Sequence, residues 1–105
     1  MALREPTVFI LTALARGRLH GYGIIGAVKE LSDDRVRLGT GTLYGALDRL
    51  ERDGHVRFVG EEVEGGPPRR YYELTDDGRA LLQGEVDRMR ATANTLAREL
   101  RQAWT

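Results

Sequence analysis

The chain holds few side chains suited to carrying out a reaction. Histidine occurs twice, as His20 and His55, and cysteine not at all. Neither histidine stands three to five residues from another or beside a recognisable nucleophile motif, so the metal-ligand and covalent-catalysis readings have nothing to build on. The lack of cysteine also excludes disulfide scaffolds and thiolate-bound zinc. The expectation is a protein that is not an enzyme and needs neither metal nor cofactor. Gly21, Gly23 and Gly26 do spell G-x-G-x-x-G. That pattern cradles a dinucleotide only when it follows a strand inside a strand–helix–strand unit. Here a helical stretch precedes it, so the glycines are read as permitting close packing of a helix over His20 to Leu31. Ile24, Ala27, Val28 and Leu31 would face inward. Tyr22 and Lys29 could reach solvent or a phosphate, and His20 shapes the start of the helix.

What remains is recognition, and the residues suited to it cluster in Gly39 to Gly54, GTGTLYGALDRLERDG. Leu43, Leu47 and Leu50 recur at the spacing that gathers apolar side chains on one face of a helix. Thr40, Gly41, Thr42 and Gly45 make its first turns small and hydrogen-bonding, with Thr40 expected as the cap. Arg49 and Arg52 fall off the leucine stripe, where they would serve phosphates or solvent. A helix that buries one face and offers a small polar N-terminal turn suits the major groove of DNA.

The flanking segments supply the frame. Glu5-Pro6 opens a first helix, because proline at its start loses only an amide without a partner. Val8 to Leu14 are apolar on nearly every side and need covering all round, in part by a second subunit. Ser32, Asp33 and Asp34 end the second helix by competing for backbone hydrogen bonds. Two short helices, a polar connector and the Gly39–Gly54 helix make a helix-turn-helix. His55–Val59 and Arg70–Leu74, rich in β-branched and aromatic residues around a Gly- and Pro-containing segment, make a hairpin. Val56 and Phe58 would share a face with Tyr72 and Leu74, leaving Tyr71 on the other side. Arg69 and Arg70 are the hairpin residues suited to phosphate contact. Glu61, Glu62 and Glu64 argue against the loop tip.

Thr75 caps a last helix with Asp76 and Asp77 at its positive end. Along it Leu82, Val86, Met89, Ala93, Leu96, Leu100 and Ala103 alternate steps of four and three, an a/d seam. A helix of that length spans about 43 Å, more than a globule roughly 34 Å across can cover. The seam therefore needs a partner chain. The fold class is mainly α with a small β-hairpin: a winged helix-turn-helix over residues 1–74 and a C-terminal dimerisation helix over 75–105, in one compact unit.

Composition bounds this reading. In 105 residues, 41% of them apolar, there is room for one domain. No apolar run is long enough for a membrane span and no leader pattern opens the chain, so the cytoplasm is the expected location. Sixteen basic residues balance sixteen acidic ones, which counts against nucleic-acid binding, since phosphate neutralisation supplies most non-specific affinity. A winged helix used for protein–protein contact is the rival that this neutrality permits.

Several short motifs together resemble the PadR family of bacterial transcriptional regulators, in its short subfamily with one C-terminal dimerisation helix. They are Leu19-His-Gly-Tyr22, Gly41-Thr-Leu-Tyr44 with Leu47, Leu50, Asp53 and Gly54, Arg69-Arg-Tyr-Tyr72 with Leu74-Thr75, and Gly78. The resemblance spans residues from about 5 to 100. It implies a homodimeric winged-helix repressor of a pseudo-palindromic operator, often for detoxification or efflux genes, released by a small aromatic or drug-like ligand. It implies DNA contact by Thr40, Gly41, Thr42, Tyr44 and Arg49, with Tyr22, Lys29, Arg69 and Arg70 at the margins. Dimerisation would fall to Leu82, Val86, Met89, Ala93, Leu96 and Leu100, and Trp104 with Phe9 are the candidate effector residues. Two departures stand out: Gly45, where many relatives carry a bulkier residue or proline, and the acidic wing loop.

Overall fold

The computed structural model describes residues 3–103. Three helices, α1 (Glu5–Ala15), α2 (Gly21–Leu31) and α3 (Thr40–Arg52), pack over a small antiparallel sheet of β1 (Leu19–His20), β2 (Val56–Glu62) and β3 (Arg69–Leu74). A long helix, α4 (Asp76–Ala103), closes the order. The core is one cluster, in which Ile10, Leu11 and Leu14 of α1 meet Ile24 and Val28 of α2, Leu43 and Leu47 of α3, and Val56 and Tyr72 of the sheet. Burying aliphatic side chains in this way contributes about 1.5–3 kcal/mol apiece relative to exposure.

Two local expectations are corrected. The hairpin is not a two-stranded sheet, because Leu19 and His20 pair with Tyr72 and Tyr71 and the strand order is β1-β3-β2. Two residues carry no readable period, yet they cover what would otherwise be an open edge of β3. The second correction concerns Thr40, which is the first helical residue and not the cap. Gly39 takes the cap position and no side chain bonds the free amides of that turn. Val56 and Phe58 pair with Leu74 and Tyr72 as the shared face requires, Val56 opposite Leu74 and Phe58 opposite Tyr72. A bulge falls between Phe58 and Gly60, where Gly60 adopts a φ of 134° open to glycine.

Helix ends follow the residues that set them. Pro6 stands in the first turn of α1. His20 caps α2, its Nδ1 accepting from the Gly23 amide at 3.2 Å. After α2, the buried Ser32 hydroxyl accepts from the Val36 amide at 2.9 Å, while Asp33 and Asp34 take left-handed φ values of 53° and 67°. Aspartate tolerates that region better than most residues.

The first turns of α4 belong to the globule. Gly78 and Glu85 are buried, and Leu81 and Leu82 pack against the core. Glu85 accepts from the Leu3 amide at 2.9 Å and from Arg88 at 2.8 Å, tying the N-terminal segment to α4. The Arg88 hydrogen bond, then the Leu3 amide, hold its carboxyl below the usual carboxylate range. From Asp87 to Ala103 every residue is exposed. Twenty-eight residues give a helix about 42 Å long, and the molecule is 64 Å along its longest axis.

Gly78 sits where α4 crosses the His55 backbone, and a β-carbon there would collide with the His55 carbonyl oxygen, which cannot move aside. Gly84, two turns on, has open space around it. At equal protein concentration in urea unfolding, Gly78→Ala should lower stability by about 1–3 kcal/mol. Gly84→Ala should raise it by about 0.5–1 kcal/mol through helix propensity. Equal effects at the two positions would contradict the packing described.

Candidate nucleic-acid interface

α3 separates its residues cleanly. Leu43, Ala46, Leu47 and Leu50 are buried, and a 3.6-residue period puts Gly41, Gly45, Asp48 and Arg52 along the opposite side. Thr40, Gly41, Thr42, Asp48, Arg49 and Arg52 are exposed. A β-carbon on Gly41 would meet nothing within 4 Å, and one on Gly45 would meet only an Arg49 guanidinium nitrogen at 3.9 Å. Arg49 thus folds back along the helix toward its N-terminus. Arg52 also folds back, its Nε donating to the Asp48 carbonyl at 3.4 Å. The uncapped first turn leaves backbone N–H groups at the positive end of the helix dipole, an arrangement that attracts anions.

Tyr44 is half-buried and turns away from this surface. Its hydroxyl lies over Gly21, where a β-carbon would come within 2.5 Å of it. Only glycine fits there without displacing the tyrosine. Pro67 and Pro68 of the wing loop meet Tyr22, Ile25, Thr40 and Tyr44 around a cleft of about 210 Å³. Tyr44, expected from the sequence at the DNA surface, is placed where it joins the starts of α2 and α3 to the wing. Tyr22 is 76% exposed, its ring edge-on to His20 with centres 6.4 Å apart, and Lys29 is exposed on the same helix.

The wing arginines differ from one another. Arg70 is held within the sheet, Nη1 donating to Glu61 at 3.1 Å and Nε to the Tyr72 hydroxyl at 3.4 Å, with its guanidinium 4.2 Å from the Phe58 ring centre. The Tyr72 hydrogen bond, then Glu61, raise its pKa above the ordinary value. Arg69 is exposed and has no ion pair among the described residues. Outside the wing, Arg18 bonds Glu62 at 3.0 Å and lies 4.9 Å from the Tyr71 ring centre, so it braces β1 against the hairpin.

Seven of the sixteen basic residues are paired with seven of the sixteen acidic ones. The paired cations are Arg16, Arg18, Arg35, Arg37, Arg57, Arg70 and Arg88. Of the cations on α2, α3 and the wing, Lys29, Arg49, Arg52 and Arg69 take part in none of these pairs; Arg4, Arg79, Arg90 and Arg98, before α1 and along α4, take part in none either. The helix-turn-helix and wing also carry Asp33, Asp48, Glu51, Asp53 and Glu64 outside any of these ion pairs, so what distinguishes the four cations there is their position and not a local positive excess.

Of the seam residues, Leu82 and Val86 are half-buried, and Leu82 packs against its own core. Met89, Leu96 and Leu100 are 45%, 59% and 62% exposed, and Ala93 is exposed between them. Phe9 is half-buried against the core, and Trp104 lies outside the described residues. No group of three metal-ligating side chains occurs among the described residues, and no helix there is long and apolar enough to cross a membrane. Asp48 was not singled out from the sequence; its signal is its position one turn beyond Gly45 on the side opposite the leucines.

Comparison with known proteins agrees with this architecture. Residues 10–84 match the Transcriptional regulator PadR-like family. Over 89 residues the chain is 42% identical to an uncharacterized 37.1 kDa protein in transposon TN4556 of Streptomyces fradiae, covering 85% of this chain but only 24% of that protein. It is 39% identical over 91 residues to the transcriptional regulator Rv3488 of Mycobacterium tuberculosis, covering 87% of this chain and 78% of the relative. Among solved structures it superposes on Bacillus subtilis PadR in complex with operator DNA, with a TM-score of 0.69 and 27% identity over 79% of this chain and 47% of that one. A family match across most of the chain, on a fold with the same winged helix and long C-terminal helix, makes this protein a member of the PadR-like family of transcriptional regulators.

Proposed function

We propose that the protein is a homodimeric, DNA-binding repressor that seats two α3 helices in successive major grooves of a pseudo-palindromic operator. The observation that carries this reading is the construction of α3: a fully buried leucine face, an uncapped N-terminal turn, and an outward side bearing small residues and unpaired arginines. The related structure of Bacillus subtilis PadR with operator DNA supports it by likeness. Thr40, Gly41 and Thr42 contact phosphates or base edges. Arg49, Lys29, Arg69 and Tyr22 serve the phosphate backbone. Tyr44 acts through position, holding the wing to the helix pair.

Dimerisation is supported by the exposed apolar series Met89, Ala93, Leu96 and Leu100 on a helix that extends beyond its own globule. Such a series would be a liability if left in water. A small aromatic effector belongs to the same reading, and a cavity of about 200 Å³ where α1, α3 and α4 meet would accept one. Its lining is mixed, with Leu3, Ala46, Leu50 and Leu81 beside Thr7, Arg49, Asp53 and His55, and the His55 Nδ1 is buried without a hydrogen-bond partner.

Binding to operator duplex, followed by fluorescence anisotropy, should weaken roughly 10³- to 10⁴-fold between about 50 and 200 mM salt, the loss expected for about six to eight phosphate contacts, three or four cations from each protomer. A salt-independent affinity would favour the protein-binding alternative. Replacing Met89 and Leu96 together by glutamate should convert the dimer to monomer in sedimentation and abolish operator binding at nanomolar protein. A dimer that survives both substitutions would place the interface elsewhere.

A further inference from the structure

Asp48 has no role in the account so far, yet it occupies the outward side of α3 with Gly41 and Gly45 before it and Arg52 after it. It is exposed, and it makes no ion pair with Arg52, which bonds its backbone carbonyl instead. Nor does it support the fold: no hydrogen bond engages its carboxylate among the described residues. An unpaired carboxylate on a surface turned toward a polyanion opposes binding unless it finds a donor there. On the major-groove edge of a base pair, the donors are the exocyclic amines of cytosine and adenine, and a carboxylate is matched to the cytosine N4 amine because it has no donor to offer the neighbouring N7 of adenine.

The two glycines make this contact sterically available. Asp48 is a short side chain and reaches a base edge only if the helix backbone approaches the groove closely. At Gly41 and Gly45, the positions preceding it on that side, no β-carbon holds the backbone away. Gly45 thereby acquires a reason: it lets the helix sink until Asp48 meets the floor of the groove. Arg52, a turn further along, is the cation available to a flanking phosphate.

We infer that Asp48 is a specificity-determining residue that selects a cytosine at one position of each operator half-site, by accepting a hydrogen bond from its N4 amine and repelling bases that present only acceptors there. This rests on the DNA-binding reading above and goes beyond it by naming the base and the residue that reads it.

In vitro selection from a random duplex library, run in parallel with the wild type and Asp48→Ala, tests it. The wild type should yield a two-fold consensus with a cytosine at one symmetric position, and Asp48→Ala should lose that preference while keeping the rest. Wild-type affinity should fall about five- to a hundredfold when that base pair alone is changed, and the variant's should not. Asp48→Ala should also bind scrambled duplex more tightly, since it removes a repulsive charge from the interface. A consensus unchanged by the substitution overturns the role of Asp48 and leaves the DNA-binding reading standing. A wild type that enriches no consensus overturns both.

Discussion

The arrangement depends on a junction of a few residues where three elements meet. Gly54, with a φ of 80°, lies just past the end of α3, and His55 leads into β2. The Thr75 hydroxyl donates to the Gly54 carbonyl at 2.6 Å and accepts from the Gly78 amide at 3.0 Å, while the Thr75 amide donates to the His55 carbonyl at 3.1 Å. One threonine therefore caps α4 and fastens it to the C-terminal end of α3. Gly78 allows α4 to lie directly on the His55 backbone. The direction of the long helix is thus fixed relative to α3 by short backbone contacts, with no flexible linker between them. If α4 pairs with a second copy, the separation of the two α3 helices follows from this junction.

The opposite end of α3 is held differently. Tyr44 over Gly21 ties its first turns to α2, and Pro67 and Pro68 bring the wing loop against the same spot. His20 caps α2 and stacks edge-on against Tyr71 of β3, with ring centres 5.3 Å apart. Tyr44, Gly21 and His20 are thus the members of the Leu19-His-Gly-Tyr22 and Gly41-Thr-Leu-Tyr44 motifs that set the geometry of the surface, while Tyr22, Gly41 and Thr42 remain exposed on it. The contacting groups are then left to exposed residues that pack against little. Surface ion pairs contribute about 0–1 kcal/mol each, so the seven pairs matter less for stability than for which cations they leave unpaired.

Much of this was legible in the sequence because it rests on period and punctuation. The leucine spacing of α3, the Pro6 start, the Thr75 cap and the Val56–Phe58 pairing with Leu74 and Tyr72 all follow from local chemistry acting on adjacent residues. β1 did not, because two residues have no period and their pairing is decided by a strand about fifty residues away. The cap of α3 was misassigned since a threonine in sequence favours that position, whereas the chain bends one residue earlier at Gly39. The packing of Tyr44 and Arg70 was not legible either. Each looks like a contact residue by type, and only the tertiary packing shows the first seated on Gly21 and the second neutralised by Glu61. Asp48 escaped notice because its meaning lies in having no partner, and that is visible only once every neighbour has been placed.

The central claim is that two α3 helices, held rigidly through their α4 junctions, read one face of the duplex together. Varying the spacing between operator half-sites tests it most directly, because a rigid two-fold dimer tolerates only separations near one helical turn, about 10 base pairs centre to centre, or a multiple of it. Inserting five base pairs turns one half-site to the opposite face of the duplex and should reduce affinity to that of a single half-site, while inserting ten should restore part of it. Affinity that is indifferent to the five-base-pair insertion would contradict a rigid pair of recognition helices.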